Sequence, residues 1–227
     1  DAGGGACGSP LHRCLRGGVD AGTGDAAAAD SLIAAAAAAN EAVIATTVAA
    51  TGNAASATFA AAIVAGDRVH FASLGDSRVY YLGETRSLLL SVDDSMAQAF
   101  IDEGMPRVEA ESMPRAHAIT KWLGRDAVDI VPRTGVLSPT EPGWLLVCSD
   151  GLWNYASEPA ALHAQLDALA GGSNDPSVLA AGLVAWANAQ GGRDNVTVAL
   201  ARCTPAAMAS LGNTPNDRTG KEQPADG

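Results

Sequence analysis

From residue 26 to residue 50 the chain runs almost wholly through alanine, with Leu32, Ile33, Val43 and Ile44 as larger apolar side chains among the small ones. Alanine has the highest helix propensity, so the stretch predicts one long helix. The pattern changes at residue 56. SATFAAAIVAGDRVHFASLGDSRVYYLGETRSLLLSV (56–92) breaks short β-type runs at Gly66-Asp67, Gly75-Asp76 and Gly83-Glu84, the punctuation of consecutive antiparallel hairpins. Helical character returns over 94–104 and stops at Gly104 and Pro106. A loop-rich stretch with a short helix near 118–123 then leads to LLVCSDGLWN (145–154), an apolar run ending on Ser149-Asp150-Gly151. Two more helices are expected at about 158–169 and 176–190, and a closing strand at 195–203.

Hairpins flanked by helices before and after predict an α+β domain, an antiparallel sheet system covered by helices. A parallel sheet is excluded over 56–92, because the connections are too short for crossovers. The ends differ from this middle. Residues 1–25 are glycine-rich without a sustained period and are expected to be irregular, and 204–227 are polar and turn-rich, as in a flexible tail. The folded domain is therefore expected over 26–203, with no internal repeat.

Charge narrows the partners. A formal net charge of -11 argues against non-specific binding to nucleic acid or to an anionic membrane. Asp30, Asn40 and Glu41 interrupt the alanine-rich stretch, so no apolar run of the ~20 residues that span a bilayer is expected. Four cysteines, Cys7, Cys14, Cys148 and Cys203, lack zinc-type spacing and suit free thiols. A cytoplasmic location is the expectation. The oligomeric state is not legible.

Three aspartates stand where an apolar run meets a tight turn: Asp76 in LGDSRVYYL, Asp150 in LLVCSDGLWN and Asp194 in GGRDNVTVAL. A buried, unpaired carboxylate is costly, so a partner is expected. Hard cations such as Mg²⁺ and Mn²⁺ take a few carboxylate oxygens and keep several waters. If the three strand ends converge, they form that kind of site. The plainer reading is turn capping, in which an Asp side chain bonds its own backbone. Asp67 in AGDRV is read that way. Capping is the better reading of Asp76 taken alone, whereas the apolar approach to Asp150 and the Gly-Gly-Arg before Asp194 favour metal.

GDSRVYYL (75–82), SVDDSMAQ (91–98), Glu103-Gly104, AITKWLG (118–124), LLVCSDGLWN (145–154) and GGRDNVTVAL (191–200) resemble, in order and spacing, motifs of the metal-dependent serine/threonine protein phosphatases of type 2C, in their bacterial branch. The resemblance implies an αββα four-layer sandwich with a binuclear Mn²⁺ or Mg²⁺ centre. It implies Asp150 and Asp194 as direct ligands and Asp76 as the position of a third, weaker metal. It also implies hydrolysis of phosphoserine or phosphothreonine on a protein by a metal-activated water, without a covalent intermediate. Asp93-Asp94-Ser95 stands where the family often has Asp-His-Ser and is read as a helix N-cap region. Glu141-Pro142-Gly143 is read as a structural turn and the four tryptophans as core or groove packing. His117 could face the site, but a loop histidine with a local hydrogen bond is the preferred reading.

The same resemblance implies N-terminal strands with a phosphate-binding Arg and a bridging Asp-Gly, which residues 1–25 do not display. Asp20 in GVDAGTGD is the nearest degenerate substitute for the bridging ligand. The expectation is a sandwich missing its N-terminal strands, from a truncated or frameshifted start, with weakened metal binding. The competing expectation is a catalytically inactive domain of the same fold that binds or regulates a phosphoprotein.

Overall fold

The computed structural model describes residues 24–47 and 54–205. Asp20, the expected irregular start before residue 24 and the expected tail beyond residue 205 lie outside the described residues. The alanine-rich stretch is one helix, α1 (Gly24–Thr47). After β1 (Ser56–Ala57) come β2 (Phe59–Ala65), β3 (Arg68–Leu74), β4 (Arg78–Gly83) and β5 (Ser87–Leu89). Then follow α2 (Met96–Asp102), α3 (Arg107–Ser112), β6 (Leu123–Gly124), β7 (Arg133–Leu137) and β8 (Gly143–Cys148). The chain continues through α4 (Asp150–Trp153), α5 (Pro159–Ala170), α6 (Pro176–Ala189) and β9 (Val198–Cys203).

The strands form two main antiparallel sheets, β2-β3-β7 and β5-β4-β8-β9, with β1 and β6 as a separate short pair. Strand alternation explains how they stack. Val79 and Tyr81 of β4 and Leu145 of β8 meet Val69 and Phe71 of β3 between the sheets. Tyr80, Leu82, Trp144 and Leu146 point the other way, onto Leu162 and Leu166 of α5 and Leu179 and Leu183 of α6. On the far side, Leu32 of α1 packs on Ile63 and Ala72, and Ala39 and Val43 pack on Leu74 and Leu123. The layers are thus helix, sheet, sheet, helix, as the resemblance implied. β4 is buried on both faces along its whole length, which is why its sequence reads as a continuous apolar run.

Three expectations change. Gly75-Asp76 is not a hairpin turn: it carries the chain from β3 in one sheet to β4 in the other. Residues 118–123 are not helical; Ile119 bridges Ser95, and β6 follows. By length and mean hydropathy α1 is apolar enough to cross a membrane, contrary to the sequence reading. Its inner face instead covers a sheet, where buried Asn40 accepts a hydrogen bond from the Gly124 amide at 2.8 Å. Small residues suit that role, because they let a helix lie close to the strands beneath it.

Candidate functional site

Register brings the three aspartates to one edge. Arg78 of β4 pairs with Cys148 of β8, and Cys148 pairs with Val198 of β9. Because the three strands are antiparallel, the start of β4, the end of β8 and the start of β9 share one end of the sandwich. Asp76 precedes the first, Asp150 follows the second, and Asp194 lies in the turn before the third.

Asp150 opens α4, a single turn of helix. Ser149 ties that turn to the Asp194 segment: its hydroxyl donates to the Asn195 carbonyl at 3.0 Å and accepts from the Thr197 amide at 3.0 Å. Gly151 permits the close approach. A Cβ there would collide with the Asn195 carbonyl oxygen and lie 2.9 Å from the carbonyl carbon. Backbone on both sides leaves little room to yield, so Gly151→Ala is expected to cost about 1–3 kcal/mol, read as a lower urea midpoint. The glycine after the aspartate is there for this contact.

The carboxylates act on one another. Burial, then the charges of Asp150 and Asp93, push Asp76 up to about 6. Asp150 is also raised, by burial first and then by Asp194. Asp194 is exposed, and its carboxylate accepts from the Asn195 amide at 2.7 Å, so the capping reading holds there beside any other role. Among the described residues no three His, Cys, Asp or Glu side chains close on one point as a metal set. The aspartates are coupled in pairs, Asp194 with Asp150 and Asp150 with Asp76. This donor set fits a hard divalent cation: it is all oxygen, and it carries a mutual repulsion that a cation relieves.

A pH dependence follows. Asp76 binds its proton more tightly folded than unfolded, so the stability of the metal-free protein falls as pH rises from about 4 to about 6 and then levels. Asp76→Asn should therefore melt above wild type at pH 7 and lose most of that advantage by pH 4.5. Thermal melts in EDTA check this.

Beside Asp76 lies a cavity of about 240 Å³, walled by Arg78, Asp93, Gln98, His117 and Trp153. Sequence reasoning missed its central feature. Arg78 is 5% exposed, yet its guanidinium is fully engaged. It donates to both Asp93 oxygens, the shortest contact being 2.6 Å, and to Ser157 Oγ at 2.8 Å and Tyr80 Oη at 3.2 Å. It also stacks 3.7 Å from the centre of the Trp153 ring. Asp94, 5% exposed, accepts from the Gly75 amide at 3.0 Å and from Arg133 at 2.9 Å. Only Ser95 is the expected N-cap, accepting from the Gln98 amide at 3.2 Å. Asp93 and Asp94 instead hold the turn that carries Asp76. His117 faces the cavity, its ring 6.3 Å from that of Trp153. Glu141 is structural as expected, its carboxylate accepting from the Thr85 and Arg86 amides at 3.0 Å each.

Comparison with known proteins bears on the fold. No family model matches the chain. It is 31% identical over 144 residues to a serine/threonine phosphatase, stp, of Listeria innocua, a match covering 63% of this chain and 55% of that protein. Among solved structures, the Streptococcus agalactiae (S. agalactiae) serine/threonine phosphatase superposes with a TM-score of 0.61 at 28% identity, over 75% of this chain and 69% of that one. The catalytic domain of the phosphatase PstP, in complex with two manganese ions, superposes with a TM-score of 0.59 at 25% identity, over 77% and 70%. The chain is homologous to the bacterial serine/threonine protein phosphatases of type 2C and shares their fold. It spans about half the length of the Listeria relative.

Proposed function

We propose that this chain carries the metal site of a phosphoprotein phosphatase that hydrolyses phosphoserine or phosphothreonine. The observation that carries the reading is the strand register, which gives Asp76, Asp150 and Asp194 a common edge where burial and mutual repulsion raise two of them. Asp150 and Asp194 would hold one cation and Asp76 would contribute to another. Manganese is the first choice, because the PstP domain is in complex with two manganese ions. Divalent cations at such a site supply Lewis-acid stabilisation at phosphorus and a more acidic water. The chain's own groups supply orientation: Ser149 and Gly151 fix the Asp150 turn on the Asp194 segment, and Asp94 fixes the Gly75-Asp76 turn.

The partner is then a phosphorylated protein whose phosphoresidue reaches the sandwich edge. Phosphate release from a phosphothreonine peptide, with Mn²⁺ and with EDTA, tests the reading. Release that needs Mn²⁺ supports it. Peptide binding without release at saturating Mn²⁺ overturns it in favour of a binding domain of the same fold.

A further inference from the structure

We infer that Trp153 is a positioning residue, a strut that sets the Asp76 turn against the Asp150 turn and so couples the two ends of the metal site. Two separate contacts carry this. The indole N–H donates to the main-chain carbonyl of Asp76 at 2.8 Å, across 77 residues of sequence. The face of the same ring carries the Arg78 guanidinium at 3.7 Å, and Arg78 begins the strand that follows Asp76. Trp153 therefore grips the β3–β4 connection at two points, one on each side of Ser77.

Its own backbone lies in the same helical turn as Asp150, and the Asn154 amide closes that turn onto the Asp150 carbonyl at 2.9 Å. A displacement of the Asp150 turn is thus carried through a rigid aromatic plate to the Asp76 segment. Trp153 is 4% exposed, with one side seated in the helix-covered core and the other walling the cavity beside Asp76. The indole N–H bond and the stack on Arg78 fix the plate on that open side. The arrangement on its far side is equally fixed, since Asp93 and Ser157 occupy the outer donors of Arg78. Groups that orient metal ligands without touching the metal set affinity through geometry, with losses of about 10–100-fold when they are removed.

The inference rests on the proposed metal site, and its test separates the two. Trp153→Phe keeps a ring beneath Arg78 but removes the N–H. Arg78→Lys keeps the charge but removes the planar stack and the fork. Amide exchange in the metal-free full chain should quicken by about 10-fold at Gly75 in Trp153→Phe, with Val79 to Leu82 unchanged. Calorimetric titration should show Mn²⁺ binding weakened by about 10-fold in both variants. Wild-type exchange at Gly75 in Trp153→Phe, or wild-type Mn²⁺ affinity in both variants, overturns the strut. A wild-type chain that binds no Mn²⁺ overturns the metal reading instead, while the exchange comparison still decides whether Trp153 holds the Asp76 turn.

Discussion

Asp150→Asn is expected to lower Mn²⁺-dependent phosphate release by more than about 100-fold and, in the same protein, to raise the melting temperature in EDTA. The first effect comes from charge. A neutral amide keeps the shape of Asp150 but removes a negative oxygen from a site that relies on few of them, and loss of a ligand exceeds the 10–100-fold typical of its supporting groups. The second effect has the opposite sign for the same reason. Without a cation, the Asp150 carboxylate is half-buried and faces the negative charges of Asp194 and Asp76. Removing it relieves that repulsion. A residue that is costly to the apo fold and needed for turnover is the signature of a metal ligand, whereas a plain turn cap would lose stability on substitution. Steady-state assays and melts on one preparation read both effects together.

Asp93→Ala should produce the largest loss of stability. It leaves the Arg78 guanidinium 5% exposed with its two-oxygen partner gone, and breaking a buried ion pair from one side costs about 3–5 kcal/mol. For a domain of this size each kcal/mol shifts the melting temperature by about 2–4 °C, so a fall of about 10 °C is expected. Replacing the exposed partner of an ordinary surface pair, such as Glu111 beside Arg107 at 3.0 Å, should move it by less than about 2 °C. Thermal melts of the two variants side by side check the contrast.

The elements legible in the sequence are those whose signals are local. Pro159 and Pro176 at helix starts, Asp175 capping Ser177 at 2.8 Å, and Gly171 in the left-handed conformation at the end of α5 all act within a few residues. The β2–β3 hairpin at Gly66-Asp67 is legible for the same reason. The step from β3 to β4 is not. The same Gly-Asp signature there joins two sheets instead of two paired strands, and only packing between the sheets distinguishes the cases. β7, Arg-Thr-Gly-Val-Leu, is largely solvent-facing and so lacks the apolar alternation that marks a half-buried strand. α3 is six residues long, too short for a helical period to register.

The site divides in the same way. Asp76, Asp150 and Asp194 are legible because each ends or begins an apolar run. The groups that hold them are not, because their partners are distant: Arg78 finds Asp93 15 residues away, and Trp153 finds Asp76 77 residues away. One trace was available. An arginine opening the apolar run RVYYL must be neutralised if that strand is buried, and the adjacent acids at 93 and 94 are among the candidates, beside Asp76 and Glu84.

The most direct test of the account is a calorimetric titration of the metal-free chain with Mn²⁺, beside Asp150→Asn. Saturable binding that weakens by more than about 10-fold in the variant is the result predicted for a cation held at the sandwich edge. Equal binding in the two proteins, or none in wild type, would contradict it.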